Sequence, residues 1–184
     1  MKRAGLLALL ADYYPEDKYE LLYKQQIINF VEKNHDCFER SLVAGHITAS
    51  AWLLNKEKTH ALLMHHRKLN AWLQLGGHCD GESDVLAVAI KEAQEESGIK
   101  GIVALSKSIF DIDVHWIPAN AREAGHYHYD IRFLLGVLSD ESIIQNNESK
   151  ELRWISAHDA QKLPTNNPSV LRMMNKWINN LNII

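Results

Sequence analysis

The sequence predicts a protein of the α/β class: one domain with a mixed β-sheet between helices, preceded by a helical extension. Two observations support this prediction. Of the 184 residues, 46% are hydrophobic, which is enough for one domain with a buried core. Helix-like and strand-like hydrophobic periodicities also alternate after residue 40, a pattern typical of helices packed on a sheet. We therefore divide the chain into an extension over residues 1–40 and a domain over residues 41–184.

The N-terminal extension has helical periodicity. Between Lys18 and Lys33 the apolar residues recur at the spacing of one helix face, and Pro15 separates this predicted helix from a shorter one. The apolar run over residues 6–10 is short, is followed by acidic residues and lacks a small-residue cleavage site. We therefore interpret it as an amphipathic helix rather than an export signal.

Strand and helix patterns alternate within the predicted domain. A polar turn over residues 55–59 joins predicted strands over residues 46–54 and 61–64. A helix over residues 84–97 follows a Gly-Gly pair, with Ser83 as its N-cap and Gly98 as the left-handed residue that ends it. The remaining predicted elements are strands over residues 109–116, 127–138 and 152–155 and a helical C-terminus.

Charge and cysteine content limit the partners and the compartment. The net charge of −3 argues against a protein that binds a nucleic-acid polymer. A small anionic substrate is still compatible with this net charge, since a bound metal ion can supply positive charge. The only cysteines, Cys37 and Cys79, form no CxxC pair, and no apolar segment reaches the roughly 18 residues of a membrane span. We expect a soluble, cytoplasmic protein without a membrane partner, and a homodimer is compatible with the sequence.

Three acidic residues of the helix predicted over residues 84–97 share one edge. At about 100° per residue, Glu92, Glu95 and Glu96 fall within an arc of roughly 100°. Like charges at these spacings repel, and a divalent cation would remove the conflict because Mg²⁺ prefers carboxylate oxygens. The Gly76-Gly77 pair before the helix would let the backbone approach a ligand closely. The alternative is a solvated acidic face without a ligand.

This stretch resembles the Nudix box, which is Gly, five residues, Glu, seven residues, then Arg-Glu-aliphatic-any-Glu-Glu-any-Gly-aliphatic. The resemblance extends over roughly residues 45–165. Ser83 stands in place of the first Glu, Lys91 in place of Arg, and Ala93 in place of a larger aliphatic residue. Lys91 keeps the charge but lacks the bidentate fork of Arg. With every spacing intact, the matching positions are Gly77, Glu92, Glu95, Glu96, Gly98 and Ile99.

The resemblance implies a Nudix-like α/β/α sandwich and a hydrolase of small phosphorylated substrates. In such enzymes water cleaves a phosphate–phosphate bond in a nucleoside diphosphate linked to another group. The resemblance further implies Mg²⁺ (or Mn²⁺) held by Glu92, Glu95 and Glu96. The candidate catalytic residues are Glu95, Glu96 and Glu151, without a choice of the base among them. The alternatives are a catalytically silent Nudix-fold module that binds a nucleotide, and a purely structural α/β protein.

Histidine and aspartate alternate along two predicted strands. Asp111, Asp113 and His115 share one side of the first, and His126, His128 and Asp130 share one side of the second. If the strands pair, these residues form one polar wall. We predict substrate contacts for Gly77, His78, His126, His128 and Asp130. The alternatives are a solvent-facing surface without a task and a zinc site of His and Asp, while His46 and His60 are expected to be structural or surface residues.

Overall fold

The computed structural model describes residues 2–121, 123–145, 147, 149–160, 162, 165 and 167–180. Within these residues the chain forms five helices and eight strands. The helices are α1 (Ala4–Asp12), α2 (Lys18–Lys33), α3 (Val85–Ser97), α4 (Ala157–Ala160) and α5 (Pro168–Asn179). The strands are β1 (Gly45–Leu54), β2 (His60–His66), β3 (Ala71–Leu73), β4 (Leu75–His78), β5 (Ile102–Ala104), β6 (Asp111–Ile117), β7 (His126–Val137) and β8 (Ser149–Ser156).

The eight strands belong to one mixed sheet, which confirms the predicted fold class. The strand order is β3-β2-β1-β7-β5, while β4 pairs with β1, β6 with β7 and β8 with β2. The chain divides into two compact units, with β1, β4, α3 and β7 contributing residues to both. Unit 1 consists of Met1–Ser50, Gly77–Ala89 and Ser106–Phe133, and unit 2 of Ala51–Gly76, Ile90–Leu105 and Leu134–Ile184.

Unit 1 contains the N-terminal helices and the hairpin of β6 and β7. Helix α2 begins where the Asp17 carboxylate accepts hydrogen bonds from the backbone N–H groups of Tyr19 and Glu20, at 2.8 and 2.9 Å. This is an N-cap, which satisfies donors that the first turn leaves unpaired. The helix packs on β6, and its Phe30 ring stacks on Tyr129 of β7 with ring centroids 4.0 Å apart. The predicted helix at Lys18–Lys33 is confirmed.

Unit 2 is organised around β2, which pairs with β3 on one side and β8 on the other. Helix α5 confirms the predicted helical C-terminus, and its buried Trp177 contacts the buried Trp52, with ring centroids 6.1 Å apart. Large aromatic side chains of this kind contribute much of the apolar burial that stabilises a core. In the part of the chain that the structure describes, no helix has the length and hydropathy needed to cross a membrane.

The ends of α3 confirm one predicted cap and correct the other. Gly98 lies at φ 75° and its N–H donates to the Gln94 carbonyl at 2.9 Å, as expected of the left-handed residue after a helix. The predicted N-cap Ser83 is wrong, because the Asp84 carboxylate accepts from the Ala87 N–H at 3.0 Å and α3 begins at Val85. A carboxylate also suits the positive end of the helix dipole.

Candidate functional site

The three glutamates of α3 lie in unit 2 and differ in exposure. The Glu92 side chain is 16% exposed and the Glu95 side chain 59%. Lys91 lies between them, with its Nζ 3.2 Å from Glu92 Oε1 and 3.4 Å from Glu95 Oε2. This cation offsets the repulsion that the spacing of the two carboxylates creates. The hydrogen bond to Glu92 and the charge of Glu92, ahead of those of Glu95, raise the pKa of Lys91.

Glu96 is the buried member of the set. Its side chain faces β4, and Glu96 Oε2 accepts a hydrogen bond from the backbone N–H of Gly76 at 2.8 Å. A hydrogen bond to a carboxylate is charge-assisted and holds the charged group in a defined place. Glu96 therefore has a fixed position, whereas Glu95 points towards solvent.

The donor chemistry of this edge fits a hard divalent cation. Three carboxylates supply the oxygen ligands that Mg²⁺ and Mn²⁺ prefer, and Mg²⁺ completes its shell with water and substrate oxygens. The contacts of Lys91 with Glu92 and Glu95 must open for both carboxylates to face one ion. Since these pairs are at least partly exposed and joined through a flexible lysine, breaking them costs little.

Glu151, the remaining predicted catalytic residue, lies on β8. It is opposite His65 of β2 in the strand register, and its Oε1 accepts a hydrogen bond from Arg153 Nε at 2.7 Å. The Arg153 guanidinium in turn lies over the Trp72 ring, 5.2 Å from its centroid. Glu151 is half-exposed and ion-paired, and its predicted catalytic role stays a prediction.

A cluster of four histidines lies in unit 1 and is formed by His46 of β1, His78 at the end of β4, and His126 and His128 of β7. We call it the histidine cluster. The His46 ring is central, with centroid distances of 5.0 Å to His78, 4.9 Å to His126 and 4.8 Å to His128. The prediction that His46 is a structural or surface residue missed this central position, because it depends on β1 lying beside β7.

Burial governs the protonation of the histidine cluster. Desolvation, followed by the charges of His78 and His126, lowers the pKa of His46 to about 4. Desolvation, followed by His115 and His46, lowers the pKa of His128 to about 2. Desolvation, followed by Arg40, also lowers the pKa of His78. A lowered pKa means that these three rings are neutral near pH 7, so each has a ring nitrogen with a free lone pair.

The predicted polar wall exists, because β6 and β7 pair antiparallel with Asp113 opposite Asp130 and His115 opposite His128. Its aspartate half is a buried ion network around Arg132, a residue that sequence analysis did not single out. The guanidinium of Arg132 contacts Asp111 at 2.9 Å, Asp113 at 3.3 Å and Asp130 at 2.7 Å. Although burial disfavours its charge, the three carboxylates raise the pKa of Arg132.

Asp130, which was predicted to contact substrate, is buried within that network. Both of its carboxylate oxygens accept hydrogen bonds from protein groups: Oδ1 from Thr48 and Ser50, and Oδ2 from Ser50 and Arg132. These hydrogen bonds tie Asp130 to β1 and to Arg132. The substrate contacts predicted for Gly77, His78, His126, His128 and Asp130 stay predictions.

A small cavity of about 120 Å³ opens beside the histidine cluster. It is lined by Arg40, Glu123 and His126, together with Ser41, Leu42, Val43 and Ala124. The Arg40 guanidinium forms two hydrogen bonds with the Asp80 carboxylate, at 2.6 and 2.9 Å. The wall of this cavity therefore offers both signs of charge within unit 1.

Comparison with known proteins identifies the family. The sequence profile of the NUDIX domain matches residues 44–177, which is more than half of the chain. The chain therefore belongs to the Nudix family, as its box residues predict. No curated protein matches it significantly.

Solved structures of Nudix proteins share the fold. A Nudix hydrolase from M. smegmatis, RenU, is 17% identical with a TM-score of 0.57, over 76% of this chain and 89% of that one. A C. elegans Ap4A hydrolase in a binary complex is 16% identical with a TM-score of 0.53, over 75% and 98%. The E. coli dihydroneopterin triphosphate pyrophosphohydrolase is 14% identical with a TM-score of 0.54, over 73% and 95%.

Proposed function

We propose that this chain is an active pyrophosphohydrolase, which uses Mg²⁺ or Mn²⁺ and water to cleave a phosphate–phosphate bond in a nucleoside diphosphate linked to another group, or in a similar small pyrophosphate. The observation that supports this most is the glutamate set of α3. Glu92, Glu95 and Glu96 stand at the family's spacings, and Glu96 is buried yet fixed by the Gly76 N–H. A module that only binds a nucleotide has no need of three carboxylates at these spacings.

The chain's own residues would divide the work as follows. The cation would be held by Glu92, Glu95 and Glu96. Before the cation binds, Lys91 would keep Glu92 and Glu95 near each other. The bound ion would polarise phosphate oxygens and offset the charge that develops during displacement. Glu95, Glu96 or Glu151 would accept the proton of the attacking water, since a carboxylate within hydrogen-bond reach of that water can act as the base.

The structural relatives support the same substrate class. One is named an Ap4A hydrolase and another a dihydroneopterin triphosphate pyrophosphohydrolase. At their low identities these proteins share the fold with this chain, and their substrates are starting points for a turnover panel rather than assignments. The panel should span dinucleoside polyphosphates, nucleoside triphosphates and sugar nucleotides.

A catalytically silent, nucleotide-binding module is the competing function. The replacement of the family's Arg by Lys91 favours it, because Lys91 pairs with two of the three glutamates and lacks the bidentate geometry of Arg. The complete set of glutamates on α3 argues against a silent module. The two functions differ in turnover, which makes them separable by one assay.

The test is phosphate release from the substrate panel with Mg²⁺ or Mn²⁺, for the wild type and the variants Glu92→Gln and Glu96→Gln. Glutamine keeps the shape and still accepts a hydrogen bond, so it removes charge without opening a cavity. We expect each variant to lose at least about 100-fold in kcat/KM, since groups that merely orient metal ligands already contribute about 10- to 100-fold.

Glu32→Gln is the matched control, because Glu32 is an exposed residue of α2. It should keep wild-type activity, and circular dichroism should show that all variants are folded. If no panel compound is turned over while one binds tightly, the silent-module function is correct. Full activity of both α3 variants would also contradict the proposal.

A further inference from the structure

The histidine cluster forms the tightest set of metal-ligating side chains in the described part of the chain. One ligand atom each from His46, His78 and His128 lies within 4.8 Å of the other two. Among the described residues, this is the one group of three or more His, Cys, Asp or Glu residues that meets this distance. The α3 glutamates are therefore less convergent than these three histidines.

The buried ring of His46 makes ring contacts but no hydrogen bond among the residues that the structure describes. His46 is 2% exposed, and neither of its ring nitrogens has a hydrogen-bond partner among the described residues. A buried polar group without a partner costs about 1–3 kcal/mol, so such groups are rare and usually have a function. The centroid of the His46 ring lies within 5.0 Å of the centroids of the other three rings, and a metal ion shared with them would satisfy one of its two nitrogens.

The hydrogen bonding of His126 resembles that of many metal-ligating histidines. Its Nδ1 is 2.8 Å from the Ala124 carbonyl oxygen, which can only accept, so Nδ1 is the donor in that hydrogen bond. A backbone carbonyl on the second ring nitrogen is a common support for metal-ligating histidines. His126 Nε2 also lies 3.2 Å from His128 Nε2, close to the roughly 3.3 Å between two nitrogens bound to one tetrahedral zinc ion.

We propose that His46, His78 and His128 bind one Zn²⁺ ion, with His126 beside them as the candidate fourth ligand. Neutral imidazoles are nitrogen donors, which suit zinc and disfavour Mg²⁺. The 4.8 Å limit is wider than the spacing on one ion, and ring rotations of the three side chains bring the nitrogens inward. The site differs in residues and in ligand chemistry from the carboxylates of α3, so it does not depend on the proposed function.

In unit 1, a glycine beside His46 allows these rings to lie close together. Gly45, next to His46, lies at φ 142°, and a Cβ there would collide with the backbone carbonyl of Tyr127. Tyr127 separates His126 from His128, so the glycine permits the close approach of His46 to both rings. Further along β7, the buried Arg132 pairs with Asp111 and Asp113 of β6 and so joins the two strands.

Charges of both signs lie near these rings. After desolvation, Arg40 lowers the pKa of His78 ahead of the opposing carboxylates Asp80 and Glu123, and Arg40 is itself ion-paired with Asp80. Catalytic zinc sites keep three protein ligands and one open position, whereas structural sites have four. If His126 remains outside the coordination sphere, the open position would take water or an anionic oxygen.

The test is calorimetric titration of the metal-free full-length protein with Zn²⁺ in excess Mg²⁺, which occupies carboxylate sites. We expect one zinc ion per chain, with X-ray absorption showing nitrogen neighbours at about 2.0–2.1 Å. The variants His78→Asn and His128→Asn should each weaken zinc binding by at least about 100-fold. Both residues are half-buried, and thermal unfolding checks that each variant is folded.

His158→Asn is the matched control, since His158 is exposed on α4, and it should bind zinc like the wild type. Glu92→Gln with Glu96→Gln should also keep zinc binding, even if turnover is never detected. The proposal is overturned if the wild type takes up no zinc. It is equally overturned if folded His78→Asn and His128→Asn bind zinc as tightly as the wild type.

Discussion

The carboxylates of α3 and the histidine cluster are two clusters of ligating residues with opposite physical character. In unit 2, Glu92 and Glu95 are at least partly exposed and share Lys91 as a counter-ion. In unit 1, His46 is buried and uncharged near neutral pH, and its ring nitrogens have no hydrogen-bond partner in the described part of the chain. The first cluster offers hard oxygen ligands, and the second offers nitrogen ligands. One chain thus presents ligands for two kinds of cation.

The same contrast extends to the ion pairs that surround each cluster. The ion pairs of Lys91 with Glu92 and Glu95 are partly solvated and share one flexible side chain. Arg132, at 2% exposure, is surrounded by three aspartates whose side chains are at most 10% exposed. Buried pairs are costly to break from one side, whereas exposed pairs contribute little. Variants of the two networks should therefore differ widely in stability.

The largest expected effect is that of Arg132→Met. Removing the guanidinium leaves Asp111, Asp113 and Asp130 buried without their cation, so the free energy of unfolding should fall by about 3–5 kcal/mol. Urea denaturation measures this loss. Arg153→Met is the matched control, because Arg153 forms an exposed pair with Glu151 and should cost less than about 1 kcal/mol. An equal loss of unfolding free energy in the two variants would contradict the proposed difference between buried and exposed ion pairs.

A Gly45→Ala variant should have an intermediate effect. The new Cβ meets the Tyr127 backbone, which cannot move aside as a flexible side chain would, and φ 142° is strained for alanine. We expect the free energy of unfolding to fall by about 1–3 kcal/mol, with zinc binding weakened because His46 moves away from His128.

Gly5→Ala provides the control for this substitution. Gly5 lies in α1, and a Cβ there meets nothing within 4 Å. Alanine at this helical position should be neutral or stabilise the protein by up to about 1 kcal/mol. If thermal unfolding and zinc titration of Gly45→Ala match those of Gly5→Ala, the close approach at Gly45 does not position the histidines.

The smallest expected effect is that of Lys91→Gln. This change removes the cation between Glu92 and Glu95 and leaves their repulsion, yet the groups are screened by water. The free energy of unfolding should change by less than about 1 kcal/mol, with a larger change at low ionic strength. Urea denaturation at two salt concentrations measures it. A loss that is large and independent of salt would mean that Lys91 acts as a buried group.

Features that depend on neighbours along one element could be predicted from the sequence. Glu92, Glu95 and Glu96 lie on a single helix, as their spacing indicated. The alternation along β6 and β7 likewise predicted the polar wall. Arg132 continues that alternation two residues after Asp130, so the same signal could have found the centre of the ion network.

The histidine cluster could not be predicted in full, because it is assembled from residues far apart in the chain. His46 joins the cluster only because β1 lies beside β7, and no periodicity within β1 reveals this. The N-cap of α3 was misplaced by one residue, since Ser83 and Asp84 are both good caps and the local path of the loop decided between them. Strand β5, Ile102–Ala104, has only three residues and is too short for a periodic signal.

The most direct test of two separate cation sites is anomalous diffraction from one crystal grown with both Mn²⁺ and Zn²⁺, recorded on either side of the zinc absorption edge. We expect a zinc signal among His46, His78 and His128, and a separate manganese signal beside Glu92 and Glu96. Zinc and manganese sharing the carboxylates of α3, with no metal among the histidines, would contradict the assignment of two chemically distinct cation sites.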